Sequence, residues 1–250
     1  MNSQKVAIIT GAGRGIGAAT ALLFGRKGDA VCINYKSDVE SASKLAETII
    51  AAGGRCITVQ ADVSREDEVV RLFSTVDEVL GSVSVLVNNA GILKTQSRLE
   101  DMTAERINLI LTQNVTSYFL CCREAVKRMS TRHGGVGGAI VNVSSGAARS
   151  GSPNEYIDYA ASKGAVDTLT KGLSLEVASE GIRVNCVRPG LIHTDIHADG
   201  GEPERIQRLK NNIPVKRGGQ AEEVAEAIYW LASEKSSYST GTYLDVTGGL

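Results

Sequence analysis

A tyrosine and a lysine four residues apart, Tyr159 and Lys163 in the segment YAASK, could carry out proton chemistry. On a helix, residues four apart lie on one face, so the phenol and the ammonium would be neighbours. A free tyrosine titrates near pH ~10, and a positive charge within roughly 4 to 6 Å favours the phenolate. A phenol with a pKa lowered in this way can act as a general acid or base near neutral pH.

A second tyrosine, Tyr156, precedes the lysine by seven residues. It would lie about 10 Å away along the helix axis, at the entry to the helix. We therefore expect Tyr159 to be the phenol that the ammonium influences. An ordinary surface pair on a helix is the alternative interpretation, and the rest of the chain must decide between the two.

Seven short runs rich in valine and isoleucine alternate with longer amphipathic segments. Most of these runs are apolar at consecutive positions, as in strands that helices cover on both faces. The order predicts an α/β fold, a Rossmann-type doubly wound sheet of about seven parallel strands with helices on both faces. The expected strands occupy residues 5–10, 30–35, 55–60, 83–88, 139–144, 182–187 and 242–247.

The overall composition excludes several classes of partner. The chain has 250 residues with 27 Lys and Arg against 28 Asp and Glu, a formal charge of -1, which predicts no general attraction to nucleic acid or to an acidic membrane. The start of the chain, MNSQKVAIIT, does not resemble a signal peptide, and no apolar run is long enough to span a bilayer. Five scattered cysteines without a CxxC pair favour free thiols in a reducing cytoplasm.

A glycine-rich turn, TGAGRGIG at residues 10–17, follows the first expected strand and opens a helix. Glycines in this position permit a tight turn, and the free amides of the helix start attract a pyrophosphate. Gly11, Gly15 and Gly17 are the expected contacts of a dinucleotide. A turn that merely links strand to helix is the alternative.

The end of the second expected strand bears on the choice of dinucleotide. Many NAD-binding domains carry an acid there to hold the ribose hydroxyls, but this chain has Asn34. Arg14 in the glycine turn and Lys36 after the strand could instead meet a 2'-phosphate. We therefore predict a preference for NADP(H), with NAD(H) possible; the alternative is that both cations are simply solvated.

Seven motifs in order give the chain a resemblance to the short-chain dehydrogenase/reductase family, in its single-domain form of about this length. The resemblance implies that residues 1–250 form a single NAD(P)-binding Rossmann domain. The motifs are TGAGRGIG, ADV at 61–63, NNAG at 88–91, Asn114, NVSS at 142–145, YAASK at 159–163 and RPGLIHT at 188–194.

The resemblance implies four catalytic residues. Tyr159 would be the proton donor or acceptor, and Lys163 would lower the pKa of this phenol and bind the nicotinamide ribose. Asn114 would help to hold a water that links the lysine to solvent. Of Ser144 and Ser145, the family pattern places the catalytic serine second, so Ser145 would bind the substrate oxygen.

The resemblance also implies further contacts to the cofactor. Asp62 and Val63 would contact the adenine, and Ile192 and Thr194 would hold the carboxamide. For Asp62 and Asn88, capping of turns at strand ends is a competing explanation. Together with the glycine turn and the two cations, the expected cofactor-binding residues are Gly11, Arg14, Gly15, Ile16, Gly17, Asn34, Lys36, Asp62, Val63, Asn89, Ala90, Gly91, Tyr159, Lys163, Pro189, Gly190, Ile192 and Thr194.

A mobile lid over the substrate is implied for about residues 191–214. His193 and His197 flank Asp195, but their place at the start of this lid argues against a metal site. Ser145 and Tyr159 are fourteen residues apart, whereas many members of the family have thirteen, so the intervening loop and the substrate could differ.

The expected activity is reversible hydride transfer between NADP(H) and the carbonyl or secondary alcohol of a small molecule, such as a sugar, a ketone or a 3-oxoacyl compound. Leu175 stands before Glu176 where many 3-oxoacyl carrier protein reductases have a basic residue, which argues modestly against that class. The alternative is a catalytically silent NADP(H)-binding sensor or scaffold. The resemblance further implies a homotetramer, with a dimer as the alternative.

Overall fold

The computed structural model describes residues 4–250, and its centre is one parallel β-sheet. The strands are β1 Val6–Ile9, β2 Ala30–Tyr35, β3 Cys56–Gln60, β4 Val85–Asn88, β5 Gly138–Val143, β6 Ile182–Pro189 and β7 Tyr243–Val246. Their order across the sheet is β3-β2-β1-β4-β5-β6-β7. The predicted α/β class and all seven predicted strands are confirmed, with ends that differ by at most two residues.

Helices cover both faces of this sheet. In the described residues they are α1 Gly15–Arg26, α2 Val39–Ala51, α3 Glu66–Val79, α4 Ala104–Leu111, α5 Ser117–Met129, α6 Ala147–Ser150, α7 Ile157–Val177, α8 Ile196–Asp199, α9 Arg205–Leu209 and α10 Ala221–Ala232. Within residues 4–250, none of them combines the length and the apolar character that crossing a bilayer requires. The first three residues of the predicted domain lie outside the described part of the chain.

The hydrophobic core has two layers, one on each face of the sheet. Val6 and Ile8 of β1 pack into the layer under α3, α5 and α7, whereas Ala7 and Ile9 pack into the layer under α1, α2 and α10. Alternate residues of a strand point to opposite faces, so a strand between two helical layers must be apolar at every position. This explains the continuous apolar runs in the sequence.

A chain of buried polar groups crosses the sheet near the ends of β4 and β5. The Asn88 Nδ2 donates to Asn142 Oδ1 at 2.9 Å, and the Asn142 Nδ2 donates to Thr170 Oγ1 on α7 at 2.9 Å. Buried amides are costly unless they are hydrogen-bonded, and here each finds a partner. The chain of bonds ties α7 to the centre of the sheet, in line with the structural explanation for Asn88.

A buried ion pair fixes the start of α7. The Arg106 Nε on α4 donates to Asp158 Oδ2 at 2.7 Å, and the side chain of Asp158 is only 2% exposed. The other carboxylate oxygen accepts from the backbone N–H of Tyr159 at 2.9 Å. Because a buried charge without its partner is strongly destabilising, this pair holds the helical turn that carries Tyr159 against α4.

Candidate active site

The predicted site residues collect at the carboxyl edge of the sheet. The chain leaves β1 and its neighbour β4 on opposite sides of the sheet, and the crevice between these exits is where ligands bind in open α/β sheets. The glycine turn follows β1, Asn89 to Gly91 follow β4, and Ser144 and Ser145 follow β5. Residues distant in the sequence thereby line one continuous groove.

The glycine turn is packed closely against the segment after β4. Gly11 has a φ of +60°, and a Cβ on it would lie 2.9 Å from the Ala90 Cα. A Cβ on Gly17 would lie 2.6 Å from the Asn89 Nδ2, which donates to the Thr10 and Gly11 carbonyls at 3.0 and 3.1 Å. Gly11 therefore requires glycine for its backbone angle and for space, and Gly17 requires it for space. Gly15 and Ile16 at the start of α1 line the crevice, where the free amides of a helix start can bind a pyrophosphate.

One end of the crevice is a cavity of about 330 Å³ beyond the glycine turn. It is large enough to take the adenosine part of a dinucleotide, and most of the residues predicted for that part line it. They are Gly11, Arg14, Gly15, Ile16, Asn34, Lys36, Asp62, Val63, Asn89, Ala90, Gly91 and Thr194.

Asn34 supports the turn instead of presenting a free side chain. It is 1% exposed, and its Nδ2 donates to the Val59 and Ala61 carbonyls at 3.2 and 3.1 Å. Its Oδ1 accepts from the Gly11 N–H at 3.3 Å. The amide thus uses its donors and its acceptor to join the ends of β2 and β3 to the glycine turn.

Both cations predicted to meet a 2'-phosphate are paired with carboxylates. The Lys36 Nζ lies 2.7 Å from Asp62 Oδ2, and Arg14 forms an ion pair with Asp199 of α8. The other oxygen of Asp62 accepts from the Ser64 N–H and hydroxyl. Burial alone would raise the pKa of Asp62, but the bonds from Lys36 and Ser64 outweigh it and lower the pKa to about 2. The Asp62 carboxylate predicted to contact adenine is already engaged with neighbours.

The other end of the crevice narrows to a cavity of about 90 Å³. It brings together residues from five separate motifs, including the catalytic residues Ser145, Tyr159 and Lys163. The remaining predicted residues on its wall are Ile16, Asn89, Gly91, Pro189, Gly190, Ile192 and Thr194.

Lys163 is buried in the wall of this narrow cavity, with 3% of its surface exposed. Its Nζ donates to the Val143 carbonyl at 2.8 Å and to the Tyr118 hydroxyl at 3.2 Å. Burial lowers the pKa of Lys163 to about 8, although its electrostatic interactions with Asp167 and Cys186 act in the opposite direction.

The predicted lowering of the Tyr159 pKa by Lys163 is not observed. Burial raises the pKa of Tyr159 to about 12, and a hydrogen bond with the Ser145 side chain lowers it by less. The ammonium lies 5.6 Å from the centroid of the Tyr159 ring, and its hydrogen bonds go to other groups. Removal from water disfavours the phenolate more than the neighbouring cation favours it. The phenol is therefore held in its protonated form.

The two candidate serines have different environments. The Ser144 hydroxyl is buried and donates to the Lys163 backbone carbonyl at 3.1 Å. Ser145 lines both the narrow cavity and the large cavity beside it, and its Oγ accepts from the Ala147 N–H at 3.1 Å. Both serines line the narrow cavity, but of the two only Ser145 also lines the large one, so the geometry favours Ser145 as the residue that can contact a substrate.

Asn114 lies in a widened π-helical turn, Thr112–Thr116, between α4 and α5. Its Oδ1 accepts from the Ile92 N–H at 2.8 Å, and its Nδ2 donates to the Ile92 carbonyl at 3.0 Å and to Ser162 Oγ at 3.2 Å. A Cβ on Gly91 would lie 3.4 Å from this Oδ1 and 3.5 Å from the Lys163 Nζ. Asn114 and Lys163 thus flank the same glycine.

The predicted lid, residues 191–214, contains the short helices α8 and α9 and contacts the loop before α7. The Tyr156 hydroxyl donates to the Gly200 carbonyl at 3.2 Å, and the Arg205 guanidinium lies 5.0 Å from the Tyr156 ring centroid. Arg205 also forms an ion pair with Glu155. Tyr156 therefore contacts residues of the predicted lid, and like Tyr159 it lines the large cavity on the substrate side.

His193 and His197 do not form a metal site with other residues of the described chain. The His197 Nε2 lies 3.0 Å from the Ile192 carbonyl, so its ring bonds within the lid. In residues 4–250, no three histidine, cysteine, aspartate or glutamate side chains come together in a way that could hold a metal ion.

A cavity of about 470 Å³ opens beside Ser145 and Tyr159, on the far side from the glycine turn. Two tyrosines and seven aliphatic residues form half of its lining, and Arg205 and Arg149 are its charged members. The polar members are Ser145, Ser150, Ser152, His197 and Thr247. The aliphatic members are Leu93, Ala147, Pro189, Leu191, Ile196, Leu209 and Leu250.

The sequence reasoning missed two contacts of this site, those of Tyr118 and of the lid. Tyr118 follows Asn114 by four residues, and that helical spacing could have placed its phenol near the same site. No comparable signal marks the pairing of Glu155 with Arg205, because fifty residues separate them.

Comparisons with known proteins identify the family. A family model described as enoyl-(acyl carrier protein) reductase matches residues 11–250. The uncharacterized oxidoreductase YgfF of Escherichia coli (strain K12) is 60% identical over 98% of this chain and 100% of its own length. Glucose 1-dehydrogenase 2 of Bacillus subtilis is 37% identical over 98% of this chain and 94% of its own length. The 3beta-hydroxysteroid dehydrogenase 1 of Eggerthella lenta is 40% identical over 98% of this chain and 93% of its own length.

Solved structures agree with these sequence matches. The crystal structure of a short-chain type dehydrogenase/reductase from Mycobacterium marinum has a TM-score of 0.90 with this chain at 33% identity, over 98% of this chain and 94% of that one. The chain therefore belongs to the short-chain dehydrogenase/reductase family of NAD(P)-dependent oxidoreductases.

Proposed function

We propose that this oxidoreductase prefers NADP(H) and transfers hydride reversibly between the nicotinamide and a carbonyl or secondary alcohol of a small, largely apolar molecule. One observation carries the proposal. Ser145 and Tyr159 stand where the large apolar cavity meets the narrow end of the dinucleotide crevice, with Lys163 behind them. A substrate oxygen at that junction would contact both hydroxyls.

The residues present fit a bound dinucleotide, because the glycine turn offers amides to a pyrophosphate and the crevice continues to the tyrosine. The nicotinamide, when bound, supplies or accepts the hydride. Ser145 hydrogen-bonds the substrate oxygen and stabilises the charge that develops on it. Tyr159 gives its proton to that oxygen in reduction and takes it back in oxidation. Lys163 binds the ribose and favours the transient phenolate, and Asn114 helps to hold a water that reconnects the lysine with solvent.

The lining of the large cavity favours a ketone over a sugar. A sugar would bring hydroxyls that aliphatic side chains such as Leu93 and Ile196 cannot bond, and an unpaired buried hydroxyl costs binding free energy. Relatives include both a glucose dehydrogenase and a hydroxysteroid dehydrogenase, so a sugar and a larger alcohol are both to be tested. A 3-oxoacyl carrier protein is disfavoured by the exposed Leu175.

A screen of substrates tests the reaction class. Purified protein with NADPH and a panel of cyclic and aryl ketones, sugars and 3-oxoacyl thioesters is expected to consume NADPH with at least one ketone. Consumption is measured by absorbance, with alcohols and NADP in the reverse direction. Tight NADPH binding without turnover on any compound would instead support the catalytically silent sensor or scaffold.

The cofactor preference is tested at Lys36. We expect Lys36→Ala to raise the Kd for NADPH about tenfold, because one charge-assisted bond to phosphate is lost and the nearby Asp62 carboxylate loses its cationic partner. The Kd for NADH should change less than about twofold. Fluorescence titration with both cofactors measures this, and Lys44→Ala, on the exposed face of α2, is the control. A wild-type Kd tenfold lower for NADH than for NADPH would contradict the proposed preference.

Several features of organisation belong to the same proposal. We propose one NAD(P)-binding domain over residues 1–250, in which residues 191–214 open and close over the substrate. We propose a homotetramer, with a dimer as the alternative. We propose that the protein acts in a reducing cytoplasm, which suits the five free cysteines of the described chain. We propose no nucleic acid or membrane as a partner.

A further inference from the structure

Tyr118 on α5 is the largest side chain that is wholly enclosed beneath the narrow cavity, with 1% of its surface exposed. Its hydroxyl donates to the Val143 carbonyl at 2.9 Å. A tyrosine hydroxyl has one hydrogen, so its oxygen can only accept from the Lys163 Nζ at 3.2 Å. The phenol, the ammonium and the Val143 carbonyl therefore form a closed triangle.

This triangle accounts for two of the three hydrogens on the ammonium. One points to Val143 at 2.8 Å and one to Tyr118. The third is left for the side of the crevice, where a Cβ on Gly91 would lie 3.5 Å from the Nζ and where Tyr159 stands. A flexible four-carbon side chain would otherwise turn its charge to any available acceptor.

We propose that Tyr118 is a positioning residue for Lys163. Its phenol oxygen holds the ammonium against the Val143 carbonyl, so that a single N–H is directed at the cofactor ribose and Tyr159. This assignment rests on the proposed function for the use made of that N–H, but the holding contact itself can be tested in the protein without cofactor or substrate.

Aromatic and titratable groups from three elements surround the Lys163 ammonium. Tyr118 faces it from α5, Tyr159 and Asp167 face it from α7, and Cys186 faces it from β6. The rings of Tyr118 and Tyr159 lie 5.1 and 5.6 Å from the Nζ, a distance at which an aromatic face attracts a cation. Phenylalanine at position 118 would keep the ring but remove the acceptor, so Tyr118→Phe isolates the hydroxyl.

The direct experiment is an NMR titration of cofactor-free protein labelled with 13C at the lysine Cε. The Lys163 signal is identified by its absence in Lys163→Met. We expect Tyr118→Phe to lower the titration midpoint of Lys163 by about one pH unit or more, because a hydrogen bond that favours the charged form is lost. A midpoint unchanged from the wild type would overturn the proposal, whatever reaction the protein catalyses.

Tyr243→Phe is the matched control. The Tyr243 hydroxyl also donates to a backbone carbonyl, that of Asp167, at 2.9 Å, but it has no bond to Lys163. The Tyr243→Phe variant should therefore leave the titration midpoint of Lys163 unchanged. An equal shift in Tyr118→Phe and Tyr243→Phe would show a general loosening of the fold and would overturn the specific role of Tyr118.

A double-mutant cycle on NADPH binding separates positioning from plain structural support. Tyr118→Phe should raise the Kd for NADPH about three- to tenfold in the wild type but leave it unchanged in Lys163→Met, where no ammonium remains to be held. Equal weakening in both backgrounds would overturn the proposal. If the single variant Tyr118→Phe fails to fold but the double variant with Lys163→Met folds, the defect comes from the unheld lysine, and this result supports the proposal. If both variants fail to fold, Tyr118 has a structural role, and this result overturns the proposal.

Discussion

Replacing Tyr159 with phenylalanine is expected to lower kcat by about two to four orders of magnitude, the usual contribution of a positioned general acid or base. Tyr159 and Ser145 line both cavities, so the phenol can give a proton to a substrate oxygen while Ser145 binds the same oxygen. Burial keeps this phenol protonated, with a pKa raised to about 12, so it is ready as a donor at neutral pH. The Kd for NADPH should stay within about threefold, because the ring and Lys163 remain.

Steady-state rates with the best ketone of the panel and fluorescence titration with NADPH measure the two quantities separately. Tyr156→Phe is the informative comparison, because it removes the hydroxyl bound to the Gly200 carbonyl and leaves Tyr159, the proposed proton donor, in place. That variant should affect KM more than kcat, since the proposed role of residues 191–214 is to close over the substrate. If Tyr159→Phe kept more than about a tenth of the rate, another group would have to supply the proton.

Replacing Lys163 with methionine is expected to abolish most activity and at the same time to stabilise the fold. A lysine whose pKa falls from 10.5 to about 8 on folding destabilises the native state by about 3 kcal/mol at neutral pH. Methionine fills similar space without a charge, and the Val143 carbonyl keeps the bond from Tyr118. We therefore expect a gain of about 1 to 3 kcal/mol in the free energy of unfolding, a trade of stability for function.

The stability difference between Lys163→Met and the wild type should depend on pH. Between pH 8 and pH 10.5 the unfolded lysine still holds a proton that the folded lysine has lost. Stability rises with pH wherever the unfolded state binds more protons, so the destabilisation caused by Lys163 decreases as the pH rises through that window. The advantage of Lys163→Met should be largest below pH 8 and should shrink towards pH 10.5.

Urea denaturation at fixed protein concentration, at pH 7 and at pH 10, measures both the gain and its change. Lys44→Met on the exposed face of α2 removes the same charge from solvent and should change the unfolding free energy by less than about 0.5 kcal/mol. A Lys163→Met protein less stable than the wild type at pH 7 would mean that the ammonium gains more from its partners than it loses by burial.

Local patterns were enough to predict the framework of this protein. The alternation of apolar runs with amphipathic segments predicted all seven strands, because a strand covered on both faces must be apolar at consecutive positions. Gly11 and Gly17 could be singled out because their turn follows a buried strand. Tyr159 could be chosen over Tyr156 because helical spacing alone places it beside Lys163.

Charge states and pairings could not be predicted in this way. The pKa of Tyr159 depends on how completely the surrounding layers exclude water, and the sequence alone predicted a shift in the wrong direction. Arg14 meets Asp199 across 185 positions of sequence, and Lys163 meets Tyr118 across 45. Spacing along one element specifies which residues share a face of it, whereas burial and long-range partners exist only once the elements have packed together.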